Sequence, residues 1–166
     1  MGVGGEPDSA HSDERRAGEA NRFVPVDFVP ATLLRTERFW LEPLGPEHNE
    51  ADYAAWRSSV AHIKATPGFE DRRWPHPMTL DENRDDLVMH ARDFDRRVGF
   101  TYTVRDTETG DVIGCVYIYP SHEPGVDASV RSWVRASNAA LDEPLARTVA
   151  RWLAGPDWPF DTVRYR

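Results

Sequence analysis

Cysteine is nearly absent from this chain, and the single Cys115 excludes a disulfide framework or a CxxC metal or redox site. It lies between Gly114 and Val116 in an apolar run, the setting of a buried core thiol. Long hydrophobic runs are missing too: nothing approaches the roughly 20 apolar residues of a membrane span. Residues 1–22, rich in Gly, Glu, Asp and Ser, lack the apolar core of about 7–15 residues that a signal peptide needs. Arg15 and Arg16 are adjacent, but no hydrophobic run follows them. These absences predict a cytoplasmic protein that does not engage a membrane. Positive charge is also short: 20 Lys and Arg against 28 Asp and Glu give a net charge of −8. That balance disfavours a nucleic-acid partner and is compatible with a cationic amine. The six histidines show no HxxxH spacing, so a zinc centre is not expected, and no GxSxG, Walker or GxGxxG string is present.

What remains is an ordinary globular composition. With 166 residues, 40% of them hydrophobic, the chain can bury one core. We expect a disordered tail over 1–22, an extended arm over 23–33 broken by Pro25 and Pro30, and one domain over 34–166. Leu34–Leu44 reads as an opening strand. Tyr53, Trp56, Val60 and Ile63 recur at helical spacing, and Thr66, Pro67 and Gly68 stop that helix. Thr79 and Glu82 form a capping-box pair before a helix with Leu87, Ala91, Phe94 and Val98 on one face. Its other face, with Asp81, Glu82, Asp85, Asp86 and Asp93, reads as solvated, and Gly99 is its expected end. Phe100–Val104 alternates, Asp106–Asp111 turns, and Val112–Tyr119 is apolar on both faces, the mark of a central strand. Ala128–Arg135 alternates again, with Val130 and Val134 on one face and Arg131, Trp133 and Arg135 on the other. Leu141, Leu145, Val149 and Trp152 stripe a last helix with Pro144 in its first turn. Phe160–Tyr165 reads as a final short strand.

This order, with LRTERFWLEPL as the opening strand, TGDVIGCVYIY in the central hairpin and SWVR in the next strand, resembles the GNAT superfamily of acetyl-coenzyme A-dependent N-acetyltransferases. The resemblance spans roughly Leu34–Arg166. It implies a mixed α/β (α+β) fold, a mainly antiparallel central sheet with helices on both faces, here without the usual C-terminal helix and strands. It further implies that the strand at Val130–Arg135 splays from the one at Thr162–Tyr165, and that the pantetheine arm of acetyl-CoA bonds in the gap to main-chain groups of Trp133, Val134 and Arg135.

In the family a pyrophosphate sits on the N-terminus of the following helix, where free amides and the helix dipole favour anions. Glycines there let the backbone come close. This chain has ASNAALDEPL at Ala136–Leu145 instead. Counted from the strand, Asp142 and Pro144 take the glycine positions, putting a carboxylate beside a pyrophosphate and removing an N–H. A shifted register brings Asn138 and Ala140 to the cradle, with Asn138 able to adopt a left-handed conformation.

The chemistry implied is attack of a deprotonated amine on a thioester with a polarised carbonyl. Glu123 and Asp127 flank the cofactor-side strand as candidate bases, and Tyr165 is the candidate acid. Tyr117 and Tyr119, on one face of the central strand, are candidate pocket residues. Two functions follow: an N-acyltransferase acting on a small amine or peptide, or a GNAT-like binding or interaction module without catalysis. The exposed edge of the last strand, with Val163 and Tyr165, predicts a homodimer.

Overall fold

The computed structural model describes residues 22–166; the tail expected over residues 1–22 lies outside them but for Arg22. The opening strand expected over Leu34–Leu44 is instead a hairpin of β1 (Leu34–Arg35) and β2 (Phe39–Pro43). Thr36 makes the turn: its hydroxyl accepts the Phe39 N–H at 3.1 Å and donates to the Phe39 carbonyl at 2.9 Å. A threonine side chain offering the backbone such a local alternative ends a strand that β propensity alone would continue.

The helix expected through Tyr53–Ile63 is likewise split, into α1 (Asn49–Arg57) and α2 (Val60–Ala65). Ser58 donates its hydroxyl to the Ala55 carbonyl at 2.8 Å, and Ser59 leaves helical geometry at φ −136°. The break has a use, because the Ser59 hydroxyl accepts the Ala136 N–H at 2.8 Å and ties this corner to the start of the last helix. α3 (Leu80–Arg96) begins with the expected capping box: Glu82 N–H donates to the Thr79 hydroxyl (3.1 Å) and Thr79 N–H to the Glu82 carboxylate (2.7 Å). It ends at Arg97, left-handed at φ 59°, two residues before Gly99. Gly99 serves close packing, since a Cβ there would lie 2.2 Å from the Tyr119 ring.

The remaining elements are β3 (Phe100–Asp106), β4 (Val112–Pro120), β5 (Ala128–Val134), a 3-10 segment (Ala136–Leu141), α4 (Asp142–Leu153) and β6 (Val163–Tyr165). They form one six-stranded sheet in the order β1-β2-β3-β4-β5-β6. Every pairing is antiparallel except β5 with β6, which is parallel and reaches only from Ala128↔Val163 to Val130↔Tyr165.

The register sorts side chains by parity. Tyr102, Val116, Val130 and Val134 face α4, where Leu145, Val149 and Leu153 pack with Trp158 and the arm residues Phe23, Val24 and Phe28. The arm is held by Tyr102, whose hydroxyl donates to the Ala31 carbonyl at 2.7 Å, and by Arg97, which donates to the Phe28 carbonyl at 2.6 Å. Thr101, Thr103, Cys115, Tyr117, Arg131 and Trp133 face α1–α3, among Trp56, Ile63, Phe69 and Leu87. No helix among the described residues is long and apolar enough to cross a membrane.

Candidate functional site

On the α1–α3 side the sheet is not fully covered. A cavity of about 280 Å³ lies between Asp52 on α1, Asn83, Asp86 and His90 on α3, Tyr117 and Arg131 on the sheet, and Phe69, Arg72 and Trp74 of the loop joining α2 to α3. Trp74 stacks obliquely near Phe69, Tyr117 and Trp133, with ring centroids 5.9 to 6.4 Å away, so the inner wall is aromatic.

Asp52 is almost fully buried at 4% exposure. Its carboxylate accepts from the Asn83 amide at 3.1 Å; the same amide donates to Asn49 Oδ1 at 2.9 Å, and its oxygen accepts the Trp56 indole N–H at 2.9 Å. Desolvation by burial pushes the Asp52 carboxyl up to about 6, with the Asn83 hydrogen bond opposing. Asp86, in the same wall, is raised by burial and by its acidic neighbours Asp85 and Glu82. His90 bonds through Nδ1 to the Tyr119 hydroxyl (2.9 Å) and to Thr101 (3.1 Å), and burial pushes it down to about 4, so it is neutral at pH 7. The Arg131 guanidinium lies over the rings of Phe69 and Tyr117, 5.5 and 5.2 Å from their centroids.

The residues singled out from sequence scatter around this cavity. Tyr117 is in its wall, with its hydroxyl accepting the Trp133 indole N–H at 3.1 Å. Tyr119 lies behind the wall, donating to Asp93 at 2.9 Å. Asp86 and Asp93 thus leave the solvated face assigned to them: one faces the cavity and the other holds a strand tyrosine. Val98 leaves the apolar stripe, lying beyond the helix and 45% exposed. Trp133 is buried on the cavity face and Val134 on the α4 face. Glu123 is exposed and ion-paired with Arg164 at 2.5 Å. The Asp127 carboxylate accepts the N–H groups of Asp161 (2.7 Å) and Thr162 (2.9 Å), a clamp on the start of β6. Cys115 is fully buried and its thiol is pushed up by desolvation. Asp52, His90 and Arg131 were not singled out. Asp52 stands four residues before Trp56 and His90 four before Phe94, so helical spacing placed each on an inward face.

The other side of β5 is closed. Ser132 and Val134 are fully buried. Past the last β5–β6 pair, the Tyr165 hydroxyl lies 2.6 Å from the Ser132 hydroxyl, and burial pushes this tyrosine up to about 12. Arg166 donates its N–H to the Val130 carbonyl (2.8 Å), and its guanidinium grips the Asp142 carboxylate at 2.6 and 2.9 Å. Every residue from Ala136 to Leu145 carries a Cβ, Pro144 has no N–H, and the Ala136 N–H is taken by Ser59. Arg135 gives its N–H to the Ile113 carbonyl at 2.8 Å. Asn138 takes φ −113°, not the left-handed conformation open to it, and with Ala140 borders a second cavity of about 290 Å³ also lined by Glu37, Arg38, Asp106 and Glu108. The helix start therefore lacks the glycines of the family's pyrophosphate cradle, has no N–H at Pro144, and carries at Asp142 a carboxylate paired with Arg166.

No family model matches the chain, and no curated protein matches it. Solved structures do. A protein from Bordetella pertussis, named for the GnaT family of acetyltransferases, is 19% identical with a TM-score of 0.52 over 74% of this chain and 73% of that one. The ribosomal-protein-S5-alanine acetyltransferase from Vibrio fischeri is 11% identical with a TM-score of 0.58 over 75% and 68%. RimL, a ribosomal L7/L12 α-N-protein acetyltransferase in complex with coenzyme A, is 14% identical with a TM-score of 0.59 over 76% and 70%. Identities this low speak for architecture, and the architecture of this chain is the fold of the GNAT superfamily of acetyltransferases.

Proposed function

We propose that the protein is a GNAT-type acyltransferase whose acceptor, a small amine, binds in the cavity beneath α1 and α3. The observation that carries this reading is Asp52: a buried carboxyl in the cavity wall, raised to about 6, is ionised at neutral pH yet basic enough to take a proton from an ammonium group. The Asn83 amide, donating to Asp52 Oδ2 at 3.1 Å, holds the carboxylate in place. The aromatic wall of Phe69, Trp74 and Tyr117 excludes water and favours an amine on an apolar body. Acetyl-CoA, the donor implied by the fold, supplies an acetyl thioester when bound.

A second reading, a GNAT-fold module that binds a ligand without transferring anything, is favoured by the closed edge of β5 and the Asp142–Arg166 pair. Isothermal titration of the full-length protein with acetyl-CoA separates the two. Micromolar binding supports transfer, and thiol release with a panel of amines then gives the acceptor. No binding at millimolar acetyl-CoA overturns the transferase reading and leaves the module.

A further inference from the structure

The cavity holds charges of both signs that do not pair with each other. Asp86 lies close enough to Asp52 to disfavour its charged form, and Arg72 close enough to Arg131 to do the same to the guanidinium. No ion pair within 4.0 Å joins either acid to either arginine among the described residues. The Arg131 side chain makes no hydrogen bond to any described residue, and its Nε is shielded from solvent without a partner. A guanidinium offers five N–H donors in a fixed plane. Stacking on Phe69 and Tyr117 sets that plane and satisfies none of the donors. Arg131 is partly buried, and a shielded guanidinium N–H without an acceptor is costly unless an anion meets it. His90, neutral beside it, supplies no charge.

We infer that the cavity takes a zwitterionic amino-carboxylate of amino-acid size with an aromatic or apolar side chain, its carboxylate on Arg131 and its ammonium on Asp52. The inference rests on the reading of this cavity as the acceptor site and deepens it by naming the substrate class. The volume of about 280 Å³ lies at the small end of ligand pockets, which suits one amino acid and excludes a folded partner. Arg72, exposed on the loop at the cavity wall, adds positive potential on the carboxylate side.

The test is isothermal titration of the full-length protein at pH 7.5 with three matched probes: L-phenylalanine, phenethylamine and 3-phenylpropionate. L-phenylalanine is expected to bind about tenfold or more tighter than phenethylamine, from the charge-assisted bonds of a guanidinium to a carboxylate. Arg131→Gln is expected to bring L-phenylalanine down to the affinity of phenethylamine. Arg72→Gln, an exposed change that leaves the core intact, is expected to weaken L-phenylalanine roughly threefold and the amine not at all. Equal binding of L-phenylalanine and phenethylamine, or equal weakening of both by Arg72→Gln, overturns the carboxylate assignment while the acceptor cavity stands. Failure of all three probes at millimolar concentration overturns the cavity as an acceptor site and the inference with it.

Discussion

The two faces of the sheet are built from alternate residues of the same strands and behave as different materials. On the α4 face Tyr102, Val116, Val130 and Val134 meet Leu145, Val149 and Leu153, with the arm folded over them. The Tyr102 hydroxyl there is tied off on the Ala31 carbonyl, while the buried Trp158 indole N–H has no partner among the described residues. On the α1–α3 face Thr101, Tyr117 and Arg131 line up across β3, β4 and β5, and the helices above contribute Asp52, Asn83, Asp86 and His90. One face is a close-packed apolar layer, and the other keeps a cavity with charges held apart. The difference bears on where function can reside: the α1–α3 face keeps a cavity lined by polar side chains beside its own apolar cluster of Trp56, Ile63, Phe69, Leu87 and Trp133.

The largest effect is expected from breaking the dry face. Leu145→Ala removes a fully buried side chain from beneath α4 and should lower stability by about 2–5 kcal/mol in urea unfolding. A loss under about 1 kcal/mol would mean the two faces are not mechanically distinct.

Asp52→Asn acts on the wet face with the opposite sign. The Asp52 carboxyl has an ordinary value of 3.8 and a folded value near 6, so the fold favours its protonated form. Its contribution is fully present below about pH 4 and is lost as pH rises through 6. The substitution should therefore raise stability by roughly 1–3 kcal/mol at pH 7.5 and change nothing near pH 4. Acyl transfer by the parent protein should show an ascending limb near pH 6, absent in the variant. Destabilisation at pH 7.5 would remove Asp52 from the role assigned to it.

The boundary between the faces is testable at Arg166 and Asp142, which are 16% and 21% exposed. Arg166→Gln should cost about 1–2 kcal/mol, because it strands a half-buried carboxylate. Asp142→Gly with Pro144→Gly should strengthen acetyl-CoA binding in titration calorimetry. Unchanged cofactor affinity would show that this helix start is not where the donor's phosphates are read.

The smallest effect concerns α3, which carries Asn83, Asp86 and His90 into the cavity. Thr79→Ala removes half of its capping box and should cost about 1 kcal/mol by thermal unfolding, with ligand binding intact.

Local signals in the sequence marked the capping box at Thr79, the Asp106–Asp111 turn, the two-sided burial of β4 and the alternation of β5. Each depends on neighbours within a few residues. The hairpin at Thr36 and the break at Ser58–Ser59 were hidden because apolar spacing continues across them, while the side-chain bonds that interrupt it leave the spacing intact. The site was hidden for a related reason. Sorting a helix by polarity sends Asp86 and Asp93 to water, yet the sheet beneath α3 offers one of them a cavity and the other a tyrosine. Asp127 looked available as a base, but two backbone amides from the approach to β6 consume it.

The sequence by itself determined the order of strands and helices from α3 onward, the parity that splits the sheet into two faces, and the absence of glycine at the start of α4. These follow from backbone sterics and the periods of the two regular structures. Tertiary structure alone decided that Asp52, His90 and Arg131, far apart in the chain, share one cavity, that its acids and arginines stay unpaired, and that Arg166 closes the far side of β5. Burial and charge separation are properties of residues brought together from distant segments, and no local pattern encodes them.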